Sequence, residues 1–412
     1  MRLLVNDSQS YHVEWLVTSE QSQSDVTVRF SDGLVLSIEP GRTADSVELG
    51  PVAMVEGLVN AHTHLEFSSL PKPIPTTGRF TDWIRNVVKY RRENPELTSA
   101  AISAGIEESW QSGTTIVGEI ATVGWSAADY AKSGFKGIVF QEVLGLSSER
   151  IQQQTELARS HVTGNRIDSR GISPHAPYST HLDLVRQSVE IAIQTNCPLA
   201  MHLAETKAEL ELLGTGTGEF REMLIDFGIW NDTRFQTPLK PMDYLEVLAR
   251  APRSLIIHGN YLDDTELKFL ASQPQMTLVY CPRTHFAFGH SEHPWRRLIE
   301  LGGPVAIGTD SRASNPDLSL FAELQFLAAR HPDVSHLALL KLGSSHGRRA
   351  LGFETDSSSK TLADFTLIRL ADSSQGRPQL ELFGPANQSC GTMINGRWVW
   401  LAPDLANQVL NP

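Results

Sequence analysis

Residues 57–67 read GLVNAHTHLEF. The apolar residues Met54, Val55, Leu58 and Val59 lead into His62-Thr63-His64, the pattern of a buried strand that ends in two histidines. Side chains on a strand alternate between its faces, so residues two apart share a face and both imidazoles aim at one point. A metal ion suits that point, because neutral imidazole nitrogen is a common ligand for zinc and its neighbours. The same spacing also arises on a surface or in a core with no metal involved. The rest of the chain separates these readings.

A chain of 412 residues holds two or three average domains, or one (β/α)₈ barrel with an accessory piece. Its 41% hydrophobic and 20% charged content is that of a globular protein with a large core. A net charge of −12 with no basic run argues against nucleic acid or an anionic membrane as partner. Cys197, Cys281 and Cys390 lie far apart with no C-x-x-C spacing, so neither a disulfide framework nor a thiolate zinc site is expected. A reducing cytoplasm is the expected setting. The opening MRLLVNDSQSYHVEW has too short an apolar run for a signal peptide, and no stretch approaches the length of a membrane span.

The first 54 residues carry alternating segments, HVEWLV at 12–17 and DVTVRFSDGLVLSIEP at 25–40, the second broken by Asp32-Gly33, a hairpin signal. From Gly57 to about Leu351 the texture changes. Strand-like runs appear at GLVNAH (57), TTIVGEIA (114), KGIVFQEVL (136), SRGISPHA (169), PLAMHLAE (198), RSLIIHG (253), MTLVYCP (276) and PVAIGTD (304). Amphipathic segments such as FTDWIRNVVKYRREN and HLDLVRQSVEIAIQ separate them. Eight strand-helix repeats favour a closed (β/α)₈ TIM barrel over an open sheet. The connection 214–252 reads as loop plus helix over the site; its GTGTG lacks the lysine and hydroxyl of a phosphate cradle. TDSSSK at 355–360 reads as a linker, followed by strands at LADFTLIRL, PQLELF and TMINGRWVWL. The expected architecture is a barrel over 55–354 and a small β-sandwich domain built from both termini, 1–54 and 355–412.

Functional residues of such barrels sit at the C-terminal ends of the strands. Here those ends carry His62 and His64, Glu119, His175, His202 with Glu205 three residues on, His258, and Asp310. Their joint occurrence favours a metal site over scattered histidines.

At these residues the chain resembles the metal-dependent amidohydrolase superfamily. The resemblance runs through VNAHTH, HLAET, IIHGNYL and GTDSRASN, and covers nearly the whole chain. SPHAPYS and GTDSRASN are similar to deaminases of S-adenosylhomocysteine, methylthioadenosine and aminofutalosine, within the branch of cytosine, guanine and adenosine-type deaminases and triazine hydrolases. The resemblance implies one divalent metal on His62, His64, His202 and Asp310, since His175 stands where binuclear members carry a bridging lysine. Zinc is the expected ion and ferrous iron the alternative. Three imidazoles and one carboxylate leave a position for water, whose pKa a divalent ion lowers to about 7.

In that scheme Glu205 moves the water proton to a ring nitrogen. His258 stabilises the developing oxyanion. Asp310 both ligates and relays a proton. The partner is a small heterocycle that loses ammonia, with loss of chloride, an alkylamine or a ring amide nitrogen from a triazine-like or imidazolone-like ring as the alternative; a homodimer is left open. His175, Tyr178, Trp83, Arg283 and His285 are the expected substrate contacts. Trp83 fits equally as packing on its helix, and a lone strand-end histidine such as His258 also occurs as a plain core residue. Glu119 and His290 receive no role.

Overall fold

The computed structural model describes every residue except 1–7, 77, 96–97, 123, 125–129, 131–133, 164–169, 231–234, 236, 354–361, 372–380 and 411–412. Eight parallel strands follow one another around a barrel: Leu58–Thr63, Thr114–Ala121, Gly137–Val143, Arg170–Pro174, Leu199–Leu203, Ser254–His258, Met276–Tyr280 and Val305–Ile307. Each falls on one of the eight expected runs. The first and last strands meet through a parallel bridge between Thr63 and Asp310. The carbonyl of His62 accepts from the backbone N–H groups of both Thr309 and Asp310, at 3.1 Å each.

Two apolar layers fix which way each strand faces. Leu199, Met201 and Leu203 pack outward with the helices, whereas Ala200 joins an inner cluster with Val59, Ala61, Ile116, Ile120, Ile138, Phe140, Leu255, Ile257, Val279 and Ala306. That cluster draws on every barrel strand but the fourth. The fourth contributes Gly171 instead, where an added Cβ would lie 2.4 Å from the Phe140 ring. The barrel is thus filled by side chains and is no pore.

Alternation carries His202 inward with Ala200, but it would turn His62 and His258 outward, because Val59, Ala61, Leu255 and Ile257 already face in. Both strands break step. The pairing of the first strand with the second shifts between Asn60 and Thr63, and His258 adopts a left-handed φ of 66°. These irregularities turn the two rings inward.

The terminal segments form a second sheet. Its order is Arg397–Leu401, Gln388–Ile394, Phe365–Arg369, Val52–Glu56, Ser8–Val17, Ser22–Ser31 and Leu34–Pro40, with Val47–Glu48 paired to Ser8–Val17. The strands hydrogen-bond into one continuous, mostly antiparallel sheet, in which Val52–Glu56 and Phe365–Arg369 join the two ends of the chain. Asp32 and Gly33 take the left-handed φ values of 51° and 78° that a tight hairpin requires. The sheet has its own core around Tyr11, Val28, Phe30, Met54, Leu367 and Trp398. Of the expected strand PQLELF, residues 378–380 lie outside the described residues, and Leu382 and Phe383 form a turn. The linker at 355–360 also lies outside them.

One buried carboxylate joins barrel and sheet. Asp364 accepts from Lys136 Nζ at 2.6 Å, Arg348 Nη1 at 3.0 Å and the backbone N–H of Asn395 at 2.9 Å. Burial alone would raise its pKa; Arg348 and Lys136 outweigh that and hold it below the ordinary value. Lys136 has the single counter-charge and comes out lowered by its own burial. No helix among the described residues is long and apolar enough to cross a membrane.

Removing one partner of a buried ion pair costs about 3–5 kcal/mol. Asp364→Asn is therefore expected to lower stability by an amount of that order in urea unfolding at pH 7. Because the folded pKa is depressed, the contribution is complete above the unfolded carboxylate value of about 3.9 and is lost as pH falls through the folded pKa. The gap between variant and wild type should hold from pH 5 to 8 and narrow below about pH 4. A gap absent at pH 7 would remove Asp364 as the joint.

Candidate metal centre

The ends of the first, fifth, sixth and eighth strands bring four imidazoles and two carboxylates to one point. Ring centroids lie 5.0 Å apart for His62 and His64, 4.9 Å for His62 and His202, and 5.5 Å for His202 and His258. Asp310 Oδ1 stands 3.6 Å from His62 Nε2 and 3.8 Å from His64 Nε2, and Glu205 Oε1 stands 3.4 Å from His258 Nε2. Two groups have potential ligand atoms mutually within 4.8 Å: His62, His202 and His258, and His62, His64 and Asp310. Together they hold the four expected ligands and His258, with His62 in both.

Those residues fit a cation. Both ring nitrogens of His62 and Nδ1 of His64 are buried without a hydrogen-bond partner, and buried polar atoms seldom stay so without cause. His202 donates from Nδ1 to the carbonyl of His175 at 3.0 Å, which leaves Nε2 with its lone pair. Burial, and then the neighbouring histidines, push His64, His202 and His258 well below the ordinary histidine pKa, so they stay neutral.

The carboxylates are held by residues that sequence reading passed over. Ser314 donates to Asp310 Oδ2 at 2.6 Å and leaves Oδ1 toward the histidines. Glu209 accepts from the backbone N–H groups of Ala204 and Glu205 at 2.8 and 3.2 Å, and Asn260 donates to the Glu205 carbonyl at 2.9 Å. Burial, then Asp310 and Glu209, push Glu205 well above the ordinary carboxyl pKa. A cation at the histidines would pull it back down. Glu119 now has a place: it accepts from Leu65 N at 2.9 Å and Tyr130 Oη at 3.1 Å, fixing the turn that follows His64.

A cavity of about 210 Å³ opens from this point. His175, Tyr178 and Trp83 line it, as expected, and Trp83 is also tied by Nε1 to the Ala313 carbonyl at 3.2 Å. Arg283 and His285 do not line it. Arg283 is engaged by Glu323 and Asp317, at 2.7 and 2.6 Å, and Glu323 in turn holds Asn315 of the loop after Asp310. His285 packs behind the site against Tyr280 and His293, and His293 donates to the His258 carbonyl at 2.8 Å. His290 pairs with the Tyr261 hydroxyl at 3.1 Å.

The connection 214–252 divides. Its helix Glu219–Asp226 and the turn after it supply Met223, Leu224, Phe227 and Ile229 to the cavity. Its helix Pro241–Leu248 instead joins the outer layer through Tyr244, Leu245 and Leu248, so only the first half covers the site. The polar wall holds two charged residues that sequence reading did not name, Arg91 and Glu142. Glu142 was within reach, since it sits near the end of the third strand in KGIVFQEVL, where the test of strand ends applies equally. Arg91 was not, because an arginine on an amphipathic helix carries no sign of the cavity it faces.

Known proteins resemble this chain in sequence and in fold. The chain is 28% identical over 311 residues to an aminodeoxyfutalosine deaminase of a Nitratiruptor species, covering 73% of this chain and 75% of that one. It is 27% identical to a 5-methylthioadenosine/S-adenosylhomocysteine deaminase of Pyrococcus furiosus, covering 84% and 82%. A crystal structure of an adenosine deaminase from Xanthomonas campestris with bound zinc superposes with a TM-score of 0.78 at 22% identity, covering 98% and 96%. The amidohydrolase family model matches residues 54–399, from the last strand before the barrel through the C-terminal strands, and the chain belongs to the amidohydrolase family.

Proposed function

We propose that this chain is a mononuclear metal-dependent aminohydrolase that replaces the amino group of an adenine-type nucleoside with oxygen and releases ammonia. The observation that carries the reading is the convergence of His62, His64, His202, His258 and Asp310 around unpartnered ring nitrogens, with Glu205 beside them. All three relatives are deaminases, and two of them act on adenosine or its derivatives.

His62, His64, His202 and Asp310 would hold a divalent cation, zinc by analogy with the Xanthomonas structure. When bound, it supplies a water that loses its proton near neutral pH. Glu205 takes that proton and delivers it to the ring nitrogen beside the reacting carbon. Burial raises its pKa and a bound cation lowers it, and these opposed pulls suit a carboxyl that must both accept and return a proton. His258 points its Nε2 toward the same place and stabilises negative charge as oxygen adds. Asp310, its Oδ2 anchored by Ser314, relays the second proton to the departing amine. The nitrogen leaves as ammonia and the ring keeps the oxygen.

Tyr178, Trp83 and Leu224 offer apolar surface to a planar base, and His175 presents a neutral imidazole. Three free, buried cysteines suit the reducing cytoplasm we assign to the protein.

Metal analysis followed by an ammonia-release screen over adenosine derivatives, guanine, cytosine and triazines tests the reading. About one equivalent of zinc with ammonia from adenosine derivatives is expected; a fully metallated sample that releases none from any compound would sink it. Glu205→Gln should keep its metal and lose about 10²- to 10⁴-fold in kcat, and an unimpaired variant would rule Glu205 out as the proton carrier. His62→Ala should emerge from purification with little metal, and undiminished content would place the ion elsewhere.

A further inference from the structure

We propose that Glu142 reads the sugar: a carboxylate oxygen accepts a hydrogen bond from a sugar hydroxyl of the substrate, so the site selects nucleosides over free bases. This rests on the deaminase reading above and names a contact within the same cavity.

Glu142 lies near the end of the third barrel strand, is 4% exposed and lines the cavity. Its Oε1 has no hydrogen-bond partner, and it is the one carboxylate oxygen so stranded among the described residues. His175 Nε2 stands 3.8 Å away, beyond hydrogen-bond reach. A buried carboxylate oxygen left without a donor is costly, and because Glu142 lines the cavity its carboxylate marks a place a ligand completes.

The partner must be a donor. Burial raises the Glu142 pKa, and Arg91, which lines the same cavity, opposes that rise; once ionised, the carboxylate only accepts. Arg91 itself is held by Glu66 at 2.6 Å, so it does not fill the gap at Oε1. A substrate carboxylate, a carbonyl or an alkyl group placed there would leave Oε1 bare.

Position selects which part of the substrate arrives. His175 stands between Glu142 and the ligand His202, whose ring centroid is 5.2 Å from its own. Glu142 thus neighbours a neighbour of the candidate ligands and is outside their cluster. What reaches Oε1 is a substituent on the base, and on a nucleoside that is the sugar, whose hydroxyls donate. Past Glu142, Arg91 and Leu144 the cavity meets a second hollow of about 370 Å³ bordered by Tyr90, Asn94 and Arg150, which leaves room for a longer arm on the sugar.

The test is a cycle of enzyme and substrate changes. kcat/KM is measured for zinc-loaded wild type, Glu142→Ala and Glu142→Gln with adenosine, its 2′-, 3′- and 5′-deoxy analogues, and adenine. With wild type, at least one deoxy analogue should fall by about 100-fold, the range for a hydrogen bond to a charged group. With Glu142→Ala, adenosine should drop to that analogue's level while the analogue changes less than about fivefold, the non-additive signature of direct contact. Zinc content should be unchanged, since Glu142 is outside the ligand set. Should the alanine variant fail to fold, the near-isosteric Glu142→Gln runs the same cycle and should discriminate about tenfold less than wild type.

If Glu142 only balances Arg91, its replacement lowers adenosine and every deoxy analogue by one common factor, and the inference falls while the deaminase reading stands. If metallated wild type turns over none of these compounds, both fall together.

Discussion

The closure of the barrel between its first and eighth strands is the constraint from which the site follows. His62 places its carbonyl in the seam, where it takes two backbone N–H groups from Thr309 and Asp310. The same hydrogen bonds that shut the barrel therefore set the distance from the first-strand histidines to the eighth-strand carboxylate. The fit is tight: a Cβ on Gly308 would come within 2.9 Å of His62 Cβ and of its carbonyl oxygen. Asn60 bonds Thr309 through both its amide oxygen and its amide nitrogen, pinning the seam one pair of residues upstream. A register slip of a single residue would send Asp310 to the helical layer and dissolve the cluster.

Packing charge-bearing groups this densely is unfavourable on its own terms. Burial and mutual repulsion keep His64, His202 and His258 neutral, yet neutral rings with bare nitrogens still lack the water they had in the unfolded chain. Backbone strain adds to this. Ala204, His258 and Asp310 all take left-handed φ values, 52°, 66° and 58°, at roughly 1–3 kcal/mol each. All three stand at the strand ends that build the centre. The surrounding barrel holds them there, and a divalent cation would turn several orphaned lone pairs into bonds. Binding in this sense contributes to folding stability as well as to chemistry.

How much of this the sequence revealed depends on what each feature rests on. The barrel strands were legible because each is an apolar run between amphipathic helices, and the candidate ligands were legible because the family's motifs sit at the ends of those runs. The inward turn of His62 and His258 was not, since strict alternation points both the other way and only a register shift and a left-handed residue reverse it. Arg283 and His285 misled for a related reason. A polar loop after the seventh strand looks the same whether its side chains face substrate or brace a neighbour, and Glu323, the residue that captures Arg283, lies on a helix forty positions away. PQLELF shows the limit of alternation alone, as its described end turns instead of extending.

The cavity separates what the family shares from what distinguishes this chain. Its floor, the histidines with Asp310 and Glu205, can serve any amidine-like carbon, and nothing in it tells a purine from a triazine. Selection falls largely to the walls, to which two neighbouring helices contribute: Phe80–Glu93 after the first strand and Glu219–Asp226 after the fifth. Arg79 on Glu219 and Arg85 on Asp226 tie them across the mouth at 2.8 and 2.7 Å. The apolar side belongs mostly to these helices and the polar side to strand ends with Arg91. A substrate with one planar face and one edge of hydroxyl donors matches that division, whereas a wholly apolar ring would leave the polar wall unanswered. Because the floor is built on strands and the apolar wall on connections, changes in that wall can shift substrate preference without disturbing the candidate metal centre.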